Sequence, residues 1–214
     1  MNIDGAILDL DGTLLDSMPI WDTVGEDYLR SRGIAPRPEL NEKLKTMSLQ
    51  QAVRCFQSEY GLTDSEEAIL AGINGLIEDF YLFTAPLKEG VPVFLESLRQ
   101  RGVKLCIATA TERYLVEGAL YRNGVLAYFN EIFTCGAVGH GKDEPQIYEA
   151  ALRFLGTPQD TTWVFEDMLY AVRTAKAAGF PVVGVYEAWE TQPEELQALS
   201  DLYILSFREM EDYL

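Results

Sequence analysis

The stretch Ile3-Asp4-Gly5-Ala6-Ile7-Leu8-Asp9-Leu10-Asp11-Gly12-Thr13 decides the fold. Its mostly apolar run from Ile3 to Leu10 reads as a buried strand, and it breaks at an Asp-Gly turn. Residues i and i+2 of a strand face the same way, so Asp9 and Asp11 are expected to project together near its C-terminal edge. In open α/β sheets ligands bind at that edge. Two close carboxylates repel each other, which is tolerable when a cation binds one and the other carries a proton. That division suits a nucleophile and an acid/base. The same residues also read as a plain strand followed by a turn.

Outward from this stretch the pattern repeats. Strand-like runs at Val103 to Ala108, Glu131 to Thr134, Thr162 to Phe165, Pro181 to Val185 and Leu202 to Leu205 are mostly separated by helix-like segments. Those helices are Pro92 to Gln100, Glu112 to Arg122, Gln146 to Leu155 and Leu169 to Ala178. The alternation predicts an α/β fold: a doubly wound, mostly parallel, Rossmann-like sheet with helices on both faces. From Asp16 to about Thr84 the period changes to helical, through Trp21, Val24, Tyr28, Val53, Phe56, Tyr60, Ile69, Ile73, Leu76, Ile77 and Phe80. This predicts an inserted all-α domain over 16–86, with the α/β core formed by 1–15 and 87–214. The connecting segments, Thr13 to Ser17 and Phe83 to Gly90, are placed to act as a hinge.

Composition narrows the function. The 214 residues are 48% hydrophobic with no run of about 18 apolar residues, so no membrane span is expected. The start, Met1-Asn2-Ile3-Asp4, has no basic flank and no small-residue cleavage site, which makes the cytoplasm the expected compartment. Cys55, Cys106 and Cys135 form no CxxC pair, and His140 is the only histidine, which argues against a zinc site. A formal net charge of −17 argues against nucleic acid and anionic membrane as partners. An anionic substrate would then need local cations: a metal, a lysine or helix N-termini.

Three further segments supply candidates. Leu105-Cys106-Ile107-Ala108-Thr109-Ala110-Thr111 ends a strand just before a helix, where the Thr109 hydroxyl and the adjoining amides can bind phosphoryl oxygens. Helix capping, by Thr111 above all, is the other reading. Gly139-His140-Gly141-Lys142-Asp143-Glu144-Pro145 sets Lys142 in a Gly-flanked loop before a helix, either as a compact cation for a phosphate or as a solvated surface lysine; His140 reads as an exposed loop residue. Val164-Phe165-Glu166-Asp167 ends a strand in adjacent acids, oxygen ligands that suit Mg²⁺ or, for Asp167, a cap for the next helix.

Together these segments resemble the haloacid dehalogenase superfamily, in the phosphatase and phosphomutase branch that carries a helical cap after the first strand. The resemblance rests on DLDGTLLDS at Asp9 to Ser17, ATAT at Ala108 to Thr111, GKDEPQIY at Gly141 to Tyr148 and VFEDMLYAVRTAKAAG at Val164 to Gly179, and covers nearly the whole chain. It implies a phosphatase for a small phosphorylated metabolite, of sugar phosphate or phosphoglycolate type, working through an aspartyl-phosphate with Mg²⁺ as cofactor. Asp9 is then the nucleophile and Asp11 the acid and base. Thr109, Ala110 and Lys142 hold the phosphoryl group. The Asp9 carboxylate, the Asp11 carbonyl and Asp167 ligate the metal, with Glu166 in support. Trp21, Lys45, Met47 and Ser48 of the cap are expected at the leaving group.

The sequence departs from the family pattern at Met168 and Ala171, where Ser and Gly are common, and at Asp143 and Gln146, which replace Pro and Asp. Thr13 fits the phosphatases, since related mutases often have an apolar residue there. A β-phosphoglucomutase-like mutase is the first alternative, although an arginine usual in its cap loop has no clear counterpart. A dehalogenase would dispense with the second aspartate and the metal. A receiver-like signalling domain would be shorter, would lack a helical insert and would take its phosphate on a later strand.

Overall fold

The computed structural model describes residues 1–44 and 49–214. It divides into two compact units, one of Met1–Ser17 with Ala85–Leu214 and one of Met18–Thr84.

The first unit is built on six strands, β1 (Gly5–Leu8), β2 (Lys104–Thr109), β3 (Glu131–Thr134), β4 (Thr162–Glu166), β5 (Val182–Val185) and β6 (Leu202–Ile204). They lie in the order β3-β2-β1-β4-β5-β6, and every pairing is parallel. This is the doubly wound Rossmann-type order, with its switch point between β1 and β4. Strands buried on both faces should be apolar throughout, and β1 (GAIL) and β5 (VVGV) are buried at every residue.

The period-two alternation sorts side chains to two layers. On one face Ile7, Cys106, Ala108, Val164 and Val182 join a core with Ile147, Ala151, Leu155, Val172, Ala175 and Leu196. Those residues come from the helices that follow α1–α4 of the second unit, α5 (Val91–Gln100), α6 (Arg113–Arg122) and α7 (Cys135–Val138): they are α8 (Gln146–Leu155), α9 (Leu169–Ala177) and α10 (Pro193–Leu199). On the other face Phe165 meets Phe94 of α5 and Phe207, with ring centroids 5.2 and 6.1 Å away. Phe207 opens a C-terminal 3₁₀ helix, Phe207–Asp212, closed at its start by a Ser206/Glu209 capping box. Gly90 precedes α5 with φ 86°, and a Cβ there would stand 2.4 Å from the Arg208 nitrogen. Only glycine satisfies both the left-handed backbone and that approach.

The strand and helix assignments made from periodicity survive with their ends moved by a residue or two. The clearest correction is at the start, because β1 stops at Leu8 and Asp9 and Asp11 lie beyond it. The chain turns at Gly12 (φ 76°), with Gly12 N–H on Leu15 O at 3.0 Å. Leu15 then bridges both Asp11 and Leu87, which lays 14–16 alongside 86–88.

The second unit contains α1 (Pro19–Ser31), α2 (Leu40–Leu44), α3 (Leu49–Tyr60) and α4 (Glu66–Phe83). Helical spacing explains its core: Val24, Tyr28, Val53, Phe56, Ile69, Ile73 and Ile77 are buried, and Tyr28 stacks on Phe56 at 6.0 Å. Pro19 starts α1, where its missing N–H costs nothing, and Ser65 caps α4 by accepting from Ala68 N–H at 3.2 Å.

Candidate active site

The strand register assembles the site. Leu8 pairs with Phe165 of β4 and Ile107 of β2, and Asp9 N–H reaches Phe165 O at 3.0 Å, so the chain emerges beside Glu166 at the switch point. Carboxylate oxygens of Asp9, Glu166 and Asp167 lie within 4.8 Å of one another, and all three residues are buried. Lys142, brought in by the loop before α8, donates from Nζ to Asp9 Oδ1 and to Glu166 Oε1, the latter at 2.8 Å. Its side chain is 4% exposed, so the solvated-lysine reading is excluded.

Three carboxylates facing one ammonium leave a formal charge of −2 in a buried space. Burial pushes the Glu166 carboxyl up to about 7, against the pull of Lys142 and with that of Asp9. Burial, then the charges of Asp9 and Glu166, hold Asp167 well above the ordinary aspartate range. For Lys142 burial opposes the charge, but Asp9 and Glu166 overcome it and hold the ammonium above the usual lysine range. Asp167 Oδ1 accepts from the Thr13 hydroxyl at 2.9 Å, while Oδ2, equally buried, meets no hydrogen-bond partner among the described residues. An orphaned carboxylate oxygen in an all-oxygen cluster of charge −2 fits a hard divalent cation.

Asp11 is placed differently from Asp9. Its Oδ1 accepts from the Ser17 hydroxyl at 2.7 Å and its Oδ2 from the Thr111 hydroxyl. The alternative reading of Thr111 as a helix cap does not hold: Glu112 is the N-cap of α6 without a side-chain bond, and the Thr111 hydroxyl serves a carboxylate a hundred residues away. Thr109, fully buried at the end of β2, accepts from Thr111 N–H at 3.0 Å, which leaves its own hydroxyl proton to donate. Ala110 between them is exposed. Nor does Asp167 cap α9: Met168 is its N-cap without a side-chain bond, and Glu190 Oε2 accepts from Leu169 N–H at 2.7 Å. His140 is on the surface, 3.0 Å from Glu144 Oε2. Trp21 lies on α1 of the helical unit with 41% exposure, and Lys45, Met47 and Ser48 fall outside the described residues.

Sequence reading missed three participants. Lys88 spends its ammonium protons on Gly12 O (2.6 Å), Tyr186 O (2.7 Å) and Glu187 Oε2 (2.9 Å), bracing the turn that follows Asp11. Ser17, read as part of a connection and as the last residue of the first motif but given no role, holds Asp11. Tyr148, fully buried on α8, donates its phenol to Glu166 Oε1 at 2.8 Å.

A phosphorylated carbohydrates phosphatase of Thermotoga maritima is 27% identical over 83% of this chain and 82% of its own. Hexitol phosphatase B of Escherichia coli is also 27% identical, over 96% of this chain and 93% of its own. A Thermotoga maritima crystal structure, provisionally named a beta-phosphoglucomutase, superposes with a TM-score of 0.88 over 99% of this chain and 98% of that one; at 23% identity it shows a shared fold. The family model for haloacid dehalogenase-like hydrolases matches residues 6–185, from β1 through β5, and so spans all four motifs. The chain belongs to the haloacid dehalogenase-like hydrolase family.

Proposed function

We propose that this hydrolase is a Mg²⁺-dependent phosphatase that cleaves a small phosphorylated metabolite, of sugar phosphate or phosphoglycolate type, through an aspartyl-phosphate on Asp9. The observation that carries the reading is the buried Asp9, Glu166 and Asp167 cluster with Lys142 as its paired cation. The phosphatase names of the relatives support the reaction and substrate class.

Asp9 and Asp167 would hold Mg²⁺ through their carboxylates and Asp11 through its backbone carbonyl, with Glu166 in support. The ion supplies charge neutralisation, so that an anionic ester can approach a carboxylate. The chain supplies the rest. An Asp9 carboxylate oxygen attacks phosphorus as the bond to the ester oxygen breaks, and Asp11 gives that oxygen its proton. Lys142 and the Thr109 hydroxyl hold phosphoryl oxygens, and the amide of Ala110 lies beside them, which suits a reaction that depends mostly on positioning and charge stabilisation. Asp11, now a carboxylate, takes a proton from water; the water oxygen bonds to phosphorus, and the bond to Asp9 breaks to release inorganic phosphate. The Ser17 and Thr111 hydroxyls, one on each carboxylate oxygen of Asp11, would hold it in orientation for that proton transfer. We assign choice of leaving group to the helical unit, with Trp21, Lys45, Met47 and Ser48 as the residues concerned.

The test is phosphate release from a panel of esters with Mg²⁺ and with chelator, for the wild type and Asp9→Asn. Turnover that needs the metal and is lost in the variant is expected. Metal-independent turnover or an active variant refutes the mechanism, and conversion of glucose 1-phosphate to glucose 6-phosphate without phosphate release would make the protein a mutase.

A further inference from the structure

We propose that Tyr148 is a positioning residue for Lys142, acting through Glu166; the inference rests on the phosphoryl-holding role given to Lys142 above. Tyr148 is fully buried on α8 and its ring packs toward Phe180, with centroids 6.2 Å apart. A phenylalanine would fill that place, so packing does not explain the hydroxyl. Burying a hydroxyl is costly unless it is hydrogen-bonded. Its bond goes to Glu166 Oε1 at 2.8 Å, the same oxygen that receives Lys142 Nζ at 2.8 Å. Lys142 Nζ in turn reaches Asp9 Oδ1. Phenol, carboxylate, ammonium and nucleophile thus form one chain across α8, β4, the loop before α8 and the residue that follows β1.

The chain has a consequence for aim. A carboxylate held by one partner can swing about its terminal torsion, and a lysine on a flexible stem follows it. A second donor on the same oxygen, from a ring fixed by the core, turns Oε1 toward Lys142 and leaves the ammonium directed at Asp9. The hydroxyl of Tyr148 therefore sets where the cation meets the transferring group, without touching that group itself. Second-layer partners of this kind are worth about 10- to 100-fold in affinity or activity.

Tyr148→Phe keeps the ring and removes only the donor. Two measurements separate positioning from simple packing: calorimetric affinity for inorganic phosphate in the presence of Mg²⁺, and kcat and KM on whichever ester the wild type cleaves. The expected result is phosphate binding weaker by about tenfold and a matching loss in kcat/KM. The same substitution is then made in a Lys142→Met background, where it should change phosphate affinity by less than about twofold, because the residue it acts through is gone. An equal loss in both backgrounds, or a variant with lowered Tm but unchanged phosphate affinity and kinetics, overturns the proposal. If the wild type hydrolyses no ester yet binds phosphate with this pattern of coupling, the assigned reaction fails and the positioning role stands.

Discussion

Asp167→Asn removes one charge from the cluster while keeping the size of the side chain and an acceptor for Thr13. Like charges 4.8 Å apart repel by about 3 kcal/mol at the effective dielectric of 20 that suits protein sites. Asp167 faces two such charges, on Asp9 and Glu166, and Lys142 offsets roughly one of them. About 3 kcal/mol of strain should therefore leave the metal-free protein with the substitution, and the new amide can donate to a neighbouring carboxylate. The sign with pH follows from the raised carboxyl of Asp167. A group whose folded pKa lies above its unfolded value favours its neutral form in the fold, so the penalty is absent below the unfolded value and grows as pH rises through the folded one. Glu166, raised to about 7, titrates in the same sense.

In chelator at pH 8 the variant should melt roughly 6–12 °C above the wild type, at about 2–4 °C per kcal/mol for a chain of this size. The difference should narrow as the pH is lowered toward 5. Mg²⁺ should raise the wild-type Tm, more at pH 8 than at pH 5.5, and should do little for the variant. Differential scanning fluorimetry at the two pH values, with chelator and with Mg²⁺, reads all four conditions. A variant no more stable than wild type in chelator at pH 8, together with a wild-type Tm indifferent to Mg²⁺, would refute the reasoning that the cluster is a strained cation site.

Gly90→Ala should cost roughly 3 kcal/mol or more in urea denaturation, since it combines a left-handed backbone with a collision against the chain at Arg208. Gly102→Ala, with a similar φ of 73° but open space around it, should cost only about 1 kcal/mol; equal losses would show that the C-terminal segment yields. Trp21→Ala should change the ratio of kcat/KM between two esters by about tenfold or more, and an unaltered ranking removes Trp21 from the set assigned to the leaving group.

Much of the fold was legible because burial writes itself into local periodicity. Glu131–Thr134 and Gln146–Leu155 have the ends that hydrophobic spacing predicts. Short elements were not: α7 has four residues and α10 seven, too few for a period to show, and the 3₁₀ helix at Phe207 offers a Ser206/Glu209 capping box but no hydrophobic period, and packs on α5 through Phe94. The site divides the same way. Acids at strand ends and a lysine in a glycine-flanked loop are visible one segment at a time, whereas a partner chosen across the fold is not. Thr111 looked like a cap because caps are local, yet its hydroxyl bonds Asp11. Lys88 sits in an ordinary acidic and basic stretch, and only the fold brings it to Gly12 and Glu187. Tyr148 differs from a core phenylalanine by one oxygen atom, whose purpose is set by Glu166 eighteen positions later.

The charge of the protein makes the metal and the lysine interdependent. At −17 overall, the chain repels anions at long range, and its site does so again at short range. Lys142 alone does not reverse this, because Asp9 and Glu166 already accept from its ammonium and the cluster remains at −2. Lys88, which braces the turn after Asp11, is bound to Glu187 and two carbonyls. On the proposed reading, a divalent ion held by the cluster would bring it to neutrality, and the Lys142 ammonium would then be available to a phosphoryl oxygen. On that reading the carboxylates predicted to lower the stability of the metal-free fold are the ones that would make phosphate binding depend on the metal, so a substitution that removes one property should remove the other.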